Sequence, residues 1–302
     1  MAARHYYLYH EDRLIHVDPG LFSFTTFVPA ALHPSLKHLP PGRVGAFTTG
    51  RTFGREPAVQ LLKPLYHAER LLSHAAFLSL RDAHWRHHQP SFLVGALKER
   101  LAHCLQQFDT SHGRDWKFRL LVRSRATLEV WIEPLLDSDV QHEVALRSVV
   151  ANRPDPELKT TALAASRSAR ELARAQGADD ALLVSETGVV REAAWANFFW
   201  VDGHGVVHTS ADGILLGITR RILLETHDCV LGTSALDDVV RQSSEAFITN
   251  SVSGIVPVTS IDGTPMPTSP GPVTTGLMAW YERAIGTLGE PVALDTTIDP
   301  LL

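Results

Sequence analysis

Turn residues recur at short, regular intervals through the second half of this chain, and that spacing limits what it can fold into. Beyond Glu143 come the runs "VALRSVVAN", "DALLVS", "VVREAAW", "NFFWV" and "VVHTS", rich in β-branched and aromatic residues. The turn formers "ETG" and "DGHG" lie among them. Runs of this length read as strands of a sheet. One helix interrupts them after the loop that carries Lys159; it runs to Gln176, with Gly177 placed to end it at the C′ position. The strands from "DALLVS" to "VVHTS" are expected to form a meander.

The first half has a different texture. "HYYLYHEDRLIHV" reads as a strand, a polar turn at Glu11-Asp12 and a second strand. The proline-rich "PAALHPSLKHLPPG" reads as an irregular connection. "VGAFTTGRTF" and "AVQLLKPLYH" read as paired strands, leading into a helix over Ala68–Ser79 in which Leu71, Leu72, Ala75 and Leu78 recur at helical spacing. A further helix is expected over Phe92–Gln106, and "WKFRLLVRS" with "ATLEVWIEP" reads as a hairpin. Strands and helices so segregated indicate α+β. Pro134–Glu143, proline-bearing and acidic, reads as a linker between domains at 1–135 and 142–302. At 302 residues and 44% hydrophobic, the chain can bury a core in two modest domains. "GTPMPTSPGP" reads as a surface loop.

Composition narrows the function classes. No apolar run approaches the roughly 20 residues of a membrane span, and the N-terminus lacks the apolar core of a secretory signal. A cytoplasmic protein with no membrane partner is expected. Cys104 and Cys229 are far apart and in no metal-binding spacing, so both read as small buried residues rather than a disulfide or a zinc site. A formal charge of −5 without a long basic block argues against nucleic acid and leaves small anions as ligands. The group His84, His87, His88 in "HWRHH" lacks an acidic neighbour and reads as solvated surface, so no metal is expected. Gly-x-Ser-x-Gly, Walker-type and dinucleotide glycine motifs are absent.

Lys159 is the last lysine, at the head of "KTTALAASRSARELARAQGADDALLVSETGVVREAAWANFFW". Such a residue is either a solvated loop lysine or the amine of a Schiff-base enzyme. An ordered set of residues comes after it: Glu192, Asn197, "ILLGITRR" from Ile214, and "ITNSVSGIVPV" from Ile248. In "ILLGITRR", Gly217 precedes a helix whose first amides, from Ile218 and Thr219, would point at an approaching anion, with the Thr219 hydroxyl beside them. Ordinary helices also start this way.

Taken together and in order, these segments resemble the pyridoxal-phosphate enzymes of the class IV aminotransferase family, which includes branched-chain and D-amino-acid aminotransferases and 4-amino-4-deoxychorismate lyase. The resemblance implies an α+β, two-domain enzyme of fold type IV, like the D-amino-acid aminotransferases. A smaller N-terminal α/β domain would precede a larger C-terminal pseudo-barrel domain, with the cofactor between them in a homodimer. It implies that Lys159 forms the Schiff base with pyridoxal phosphate and moves protons at the reacting carbon. Glu192 would pair with the pyridine nitrogen, Asn197 would contribute to the cofactor site, and Leu216 would lie on the ring face. Gly217, Ile218 and Thr219 would hold the phosphate, with Ser251 as a second hydroxyl and Asn250 and Val252 lending amides. "YHAERLL" resembles the family's His-x-x-Arg-Leu helix start, which makes Arg70 a cationic phosphate contact.

Two passages bear on the reaction. "FTTGRT", Phe47–Thr52, and "TNSVSGIVPV" resemble the aminodeoxychorismate lyases more than the branched-chain enzymes. On that resemblance Arg51 and Arg119 bind substrate carboxylates, Thr48 and Thr49 place hydroxyls near the reacting centre, and Asn250 joins the substrate site. The chain departs from the family at "LPPGRVGAFTT", where many members have "YGDG", and at Ala164, where branched-chain enzymes have a tyrosine. The implied reaction is lysis of 4-amino-4-deoxychorismate to p-aminobenzoate and pyruvate, a step of folate biosynthesis. The alternatives are transamination of branched-chain or D-amino acids with 2-oxoglutarate, and a catalytically silent cofactor-binding homologue.

Overall fold

A computed structural model describes residues 5–10, 13–17, 44–54, 59–78, 89–107, 115–124 and 127–292. The chain divides into two compact units: Met1–Leu136 with Lys159–Thr161 and Leu288–Leu302, and Asp137–Leu158 with Ala162–Thr287. Among the described residues no helix is long and apolar enough to cross a membrane.

The first unit is an antiparallel sheet backed by two helices. Its strands are β1 (His5–His10), β2 (Arg13–Val17), β3 (Ala46–Phe53), β4 (Gln60–Leu62), β5 (Trp116–Ser124) and β6 (Thr127–Pro134). A strand from near the C-terminus, Gly289–Pro291, pairs with β4 and completes the order C-terminal strand, β4, β3, β5, β6, β1, β2. The opening hairpin and the β5–β6 hairpin form where their sequences place them. Glu11-Asp12, the proline-rich connection and His84, His87 and His88 lie outside the described residues, as does the side chain of Cys104.

Alternation along the strands sorts this unit's residues. Ala46, Phe118, Leu120, Val122, Leu128, Val130 and Ile132 bury one face against Ala68, Leu71, Leu72 and Ala75 of α1 (Pro64–Phe77) and Leu93, Leu97 and Leu101 of α2 (Pro90–Gln107). Phe47, Thr49, Arg51 and Arg119 therefore belong to the face turned away from the helices. The sequence places the start of α1 at Ala68 and reads "KPLYH" as strand; the helix begins at Pro64 instead. Proline has the φ of a helix's first turn and lacks only an N–H that would be unbonded there, and Lys63, at φ 46°, turns the chain out of β4.

The second unit holds a mixed sheet. Its elements are β7 (Val144–Val150), α3 (Ala164–Ala175), β8 (Asp180–Val184), β9 (Val190–Ala193), β10 (Asn197–Asp202), β11 (Val207–Ser210), α4 (Ile218–Thr226), β12 (Cys229–Gly232), α5 (Leu236–Gln242), β13 (Ser243–Asn250) and β14 (Gly254–Ile261). The short strand Thr264–Pro265 pairs with β14, and α6 (Pro272–Leu288) comes next. Gly177, at φ 82°, ends α3 as its sequence suggests, because the Gly177 N–H reaches the Arg174 carbonyl and the Ala178 N–H that of Ala173.

The meander expected here forms only in part. β8–β9 and β10–β11 are antiparallel hairpins, but β10 takes β13 and not β9 as its other ladder partner; ahead of them, β7 pairs in parallel with β8 through α3. The sheet order is β12, β11, β10, β13, β14, β7, β8, β9. β9 ends this path, yet only Ala194–Ala196 separate it from β10, the third strand, so the sheet must curl back on itself. Buried Leu146, Leu182, Val184, Phe198, Trp200, Ile248, Val256 and Val258 fill one face of that curl. The consequence for chemistry is that Glu192 on β9 meets residues from β10 and from the loop ahead of α4.

Candidate active site

In the first unit the chemistry gathers around Lys159. Residues 159–161 lie along β3: the Phe47 N–H donates to the Lys159 carbonyl (3.0 Å), the Thr161 N–H to the Gly45 carbonyl (2.9 Å), and Ala46 bridges Thr160. Lys159 Nζ lies 4.9 Å from the centroid of the Phe47 ring, and the Arg119 guanidinium lies 5.0 Å from the same centroid. Arg119 Nε also donates to Thr49 Oγ1 at 3.3 Å. Arg51 rests over Phe53 at 4.4 Å and pairs with Asp115 at 3.8 Å, while its buried Nε has no hydrogen-bond partner among the described residues.

On the helix side, Arg70 Nη2 donates to Thr48 Oγ1 at 2.8 Å, and that hydroxyl meets His67 Nδ1 at 2.8 Å. Thr48 and Thr49, read together from the sequence, are thus divided between the two faces of the sheet, as adjacent strand residues must be. Burial, reinforced by the charges of Arg70 and Lys159, pushes the His67 imidazole well below its ordinary pKa and that of His74 down to about 4. Both rings are neutral near pH 7. Burial also lowers Arg70 to about 10, and its buried Nε has no hydrogen-bond partner among the described residues. An enclosed guanidinium with an unused donor, flanked by neutral imidazoles, suits an incoming anion.

The second unit carries a set of its own. Glu192, 2% exposed, accepts Arg153 Nη1 on Oε1, and Asn197 Nδ2 (3.2 Å) and the Leu215 N–H (3.0 Å) on Oε2. Asn197 also donates to the Leu215 carbonyl at 2.6 Å, tying the loop before α4 to the start of β10. A Cβ on Gly217 would lie 2.0 Å from Asn197 Oδ1, so only glycine allows this approach. Gly217 is the N-cap of α4 and makes no side-chain cap, which leaves the first amides, from Ile218 and Thr219, without that partner. Thr219 is buried, whereas Leu216 is 53% exposed. At the β13–β14 turn, Asn250 Oδ1 accepts the N–H groups of Val252 (2.9 Å) and Ser253 (2.7 Å). The Val252 amide expected to lend itself to phosphate is therefore already engaged, and Ser251 lies within that turn.

Residues 45–261 match the family model described as amino-transferase class IV. The chain belongs to the class IV aminotransferases. An aminodeoxychorismate lyase of Bacillus subtilis (strain 168) is 32% identical over 111 residues, a match that spans 35% of this chain and only 38% of that lyase. A branched-chain aminotransferase from Thermoproteus uzoniensis, solved with norvaline, superposes with a TM-score of 0.76 at 22% identity over 96% of this chain and all (100%) of its own. The branched-chain amino acid aminotransferase from Thermobaculum terrenum, solved in its PLP-form, gives a TM-score of 0.75 at 18% identity over 97% of this chain and 99% of its own. These likenesses show the two-domain α+β fold of type IV.

Pyridoxal phosphate, the group a class IV enzyme uses, fits what these residues offer. In the first unit, taken by itself, Arg70 has a buried unused donor; in the second, α4 has no side-chain cap at its N-terminus and Glu192 is a carboxylate with a guanidinium beside it. Three of the residues in contact here, Arg153, His67 and His74, went unassigned in the sequence. His67 opens the His-x-x-Arg-Leu segment and His74 stands one turn beyond Arg70, so the spacing of α1 carried a signal. Arg153 offered none, because it meets Glu192 only through the curl of the sheet.

Proposed function

We propose that this class IV enzyme is a lyase that converts 4-amino-4-deoxychorismate into p-aminobenzoate and pyruvate with pyridoxal phosphate bound to Lys159. The observation that carries this reading is the shared Phe47 ring, on which both the Lys159 amine and the Arg119 guanidinium rest, on the sheet face that also bears Thr49 and Arg51. An amine beside carboxylate-binding groups suits a small amino substrate with two carboxylates. A branched aliphatic side chain would find polar partners there. The partial likeness to a curated lyase supports the same choice.

Arg70, Thr219, the first amides of α4 and Ser251 would hold the phosphate, Glu192 would face the pyridine nitrogen with Asn197 steadying it, and Leu216 would lie against the ring. When bound, the cofactor supplies an electron sink for charge released at the carbon that bears the substrate nitrogen. Arg51 and Arg119 would bind the two carboxylates, each contact being charge-assisted and worth about 1.5–3 kcal/mol. The Lys159 amine takes the proton from the nitrogen-bearing carbon. The bond between the ring carbon and the enolpyruvyl oxygen breaks with its electrons going to that oxygen, the ring becomes aromatic as p-aminobenzoate, and the released enolpyruvate takes up a proton at its methylene carbon to give pyruvate. His67 and His74, being neutral, add no positive charge beside that amine.

Incubation of the purified protein with 4-amino-4-deoxychorismate should release p-aminobenzoate and pyruvate in equal amounts. Absence of both, with amino exchange between an amino acid and 2-oxoglutarate, would assign the chain to the transaminases instead. A homodimer is part of this proposal and is checked by sedimentation.

A further inference from the structure

The pairing of residues 159–161 with β3 is incomplete in an informative way. Around the Ala46–Thr160 bridge, a regular antiparallel ladder would give each flanking pair two reciprocal backbone bonds. Here each pair keeps one, Phe47 N–H to the Lys159 carbonyl (3.0 Å) and Thr161 N–H to the Gly45 carbonyl (2.9 Å). The reciprocal donors go to side chains. The Gly45 N–H donates to Thr161 Oγ1 at 2.9 Å, and the Lys159 N–H donates to His74 Nδ1 at 3.0 Å. His74 thus draws the backbone of Lys159 away from the Phe47 carbonyl and fastens it to α1.

We propose that His74 is a positioning residue for Lys159, an imidazole that accepts the Lys159 backbone N–H at Nδ1 and so fixes the point from which the reactive amine projects. The role rests on the reading of Lys159 as the cofactor lysine. Nδ1 can accept only if the ring proton sits on Nε2 and the ring is uncharged. The setting enforces that state, since burial and the nearby charges of Arg70 and Lys159 hold the imidazole pKa near 4. Without this acceptor the Lys159 N–H would be free to return to the Phe47 carbonyl, which would rotate the start of the side chain relative to the Phe47 ring.

Two measurements on the full-length protein test this. In 15N-labelled protein without added cofactor, a coupling across the hydrogen bond between the Lys159 amide nitrogen and His74 Nδ1 is expected, with Nδ1 unprotonated at pH 7. A protonated Nδ1, or no coupling, would overturn the proposal whatever the enzyme catalyses. The second measurement is the rate at which added pyridoxal phosphate produces a borohydride-sensitive absorbance band. His74→Asn, whose Oδ1 occupies the place of Nδ1, should stay within about threefold of the wild-type rate, whereas His74→Gln and His74→Leu should slow it about tenfold or more. A Gln variant as fast as Asn, or a Leu variant as fast as wild type, would show that the ring fills space and does not position the amine. If the wild-type protein forms no such band, the amine has no cofactor to meet and the role falls with it, while the coupling still reports the bond.

Discussion

Replacing Arg153 by methionine tests whether Glu192 depends on its neighbour to remain a buried carboxylate. Glu192 is 2% exposed, and Arg153 is a charged donor to it beside the neutral Asn197 side chain and the Leu215 N–H. Methionine keeps much of the side chain's length and removes the guanidinium, while the Asn197 and Leu215 donors on Oε2 remain. Removing one partner of a buried ion pair typically costs about 3–5 kcal/mol, because the other charge stays buried. The Arg153 side chain is 18% exposed, so water reaches part of this pair, and the retained donors soften the loss. A cost of about 2–3 kcal/mol is therefore expected. In urea this should lower the unfolding midpoint of the full-length chain by about 1 M, followed by both tryptophan fluorescence and circular dichroism. Adding Glu192→Gln removes the stranded charge, so the double variant should be less destabilised than the two single variants combined, by about 1 kcal/mol or more. A midpoint unchanged in Arg153→Met, or strictly additive single effects, would refute the idea that the pair holds this carboxylate.

Asp180, fully buried at the start of β8, has its pKa raised to about 6, chiefly by burial and against the pull of Arg170. Its folded pKa lies above an unfolded value of about 3.9, so its contribution to stability is full below about pH 4 and is lost as pH rises towards 6. Asp180→Asn keeps an acceptor for the Ala181 N–H and should gain about 1–3 kcal/mol on wild type between pH 4 and pH 7; parallel urea midpoints across that range would contradict the assignment. Gly217→Ala must displace Asn197, whose Oδ1 would lie 2.0 Å from the new Cβ, and should weaken pyridoxal phosphate binding about tenfold or more in an equilibrium titration. Unchanged affinity would remove this contact from the cofactor site. Arg119→Met should lower turnover of 4-amino-4-deoxychorismate roughly ten- to a hundredfold while leaving the cofactor spectrum intact. A changed spectrum with normal turnover would move Arg119 from substrate to cofactor.

Local signals in the chain were reliable where structure is local. The stop at Gly177, the hairpin of β5 and β6 and the apolar stripe of α1 follow from periodicity and turn chemistry alone. Misreadings arose where one rule hid another, as at Pro64, which begins a helix inside a run that looks like strand. The division of Thr48 from Thr49 was legible in principle, since neighbouring strand residues face opposite ways. The partner of β10 was not, because β13 lies far along the chain and is chosen by the curl of the sheet. Arg153 at Glu192 shares that cause, being a tertiary contact between segments whose own patterns are ordinary, whereas His74 had a local signal in the spacing of α1 but its partner, the Lys159 N–H, lies 85 residues along the chain.

The central claim, that Lys159 is the cofactor-bearing lysine, is tested most directly by locating the covalent link. The protein is incubated with pyridoxal phosphate, reduced with borohydride and digested, and the modified peptide is read by mass spectrometry. The chain has four other lysines to choose from, Lys37, Lys63, Lys98 and Lys117. The phosphopyridoxyl group should be found on Lys159 and be absent from Lys159→Ala; a label on any of the other four, or undiminished labelling of the variant, would contradict the account.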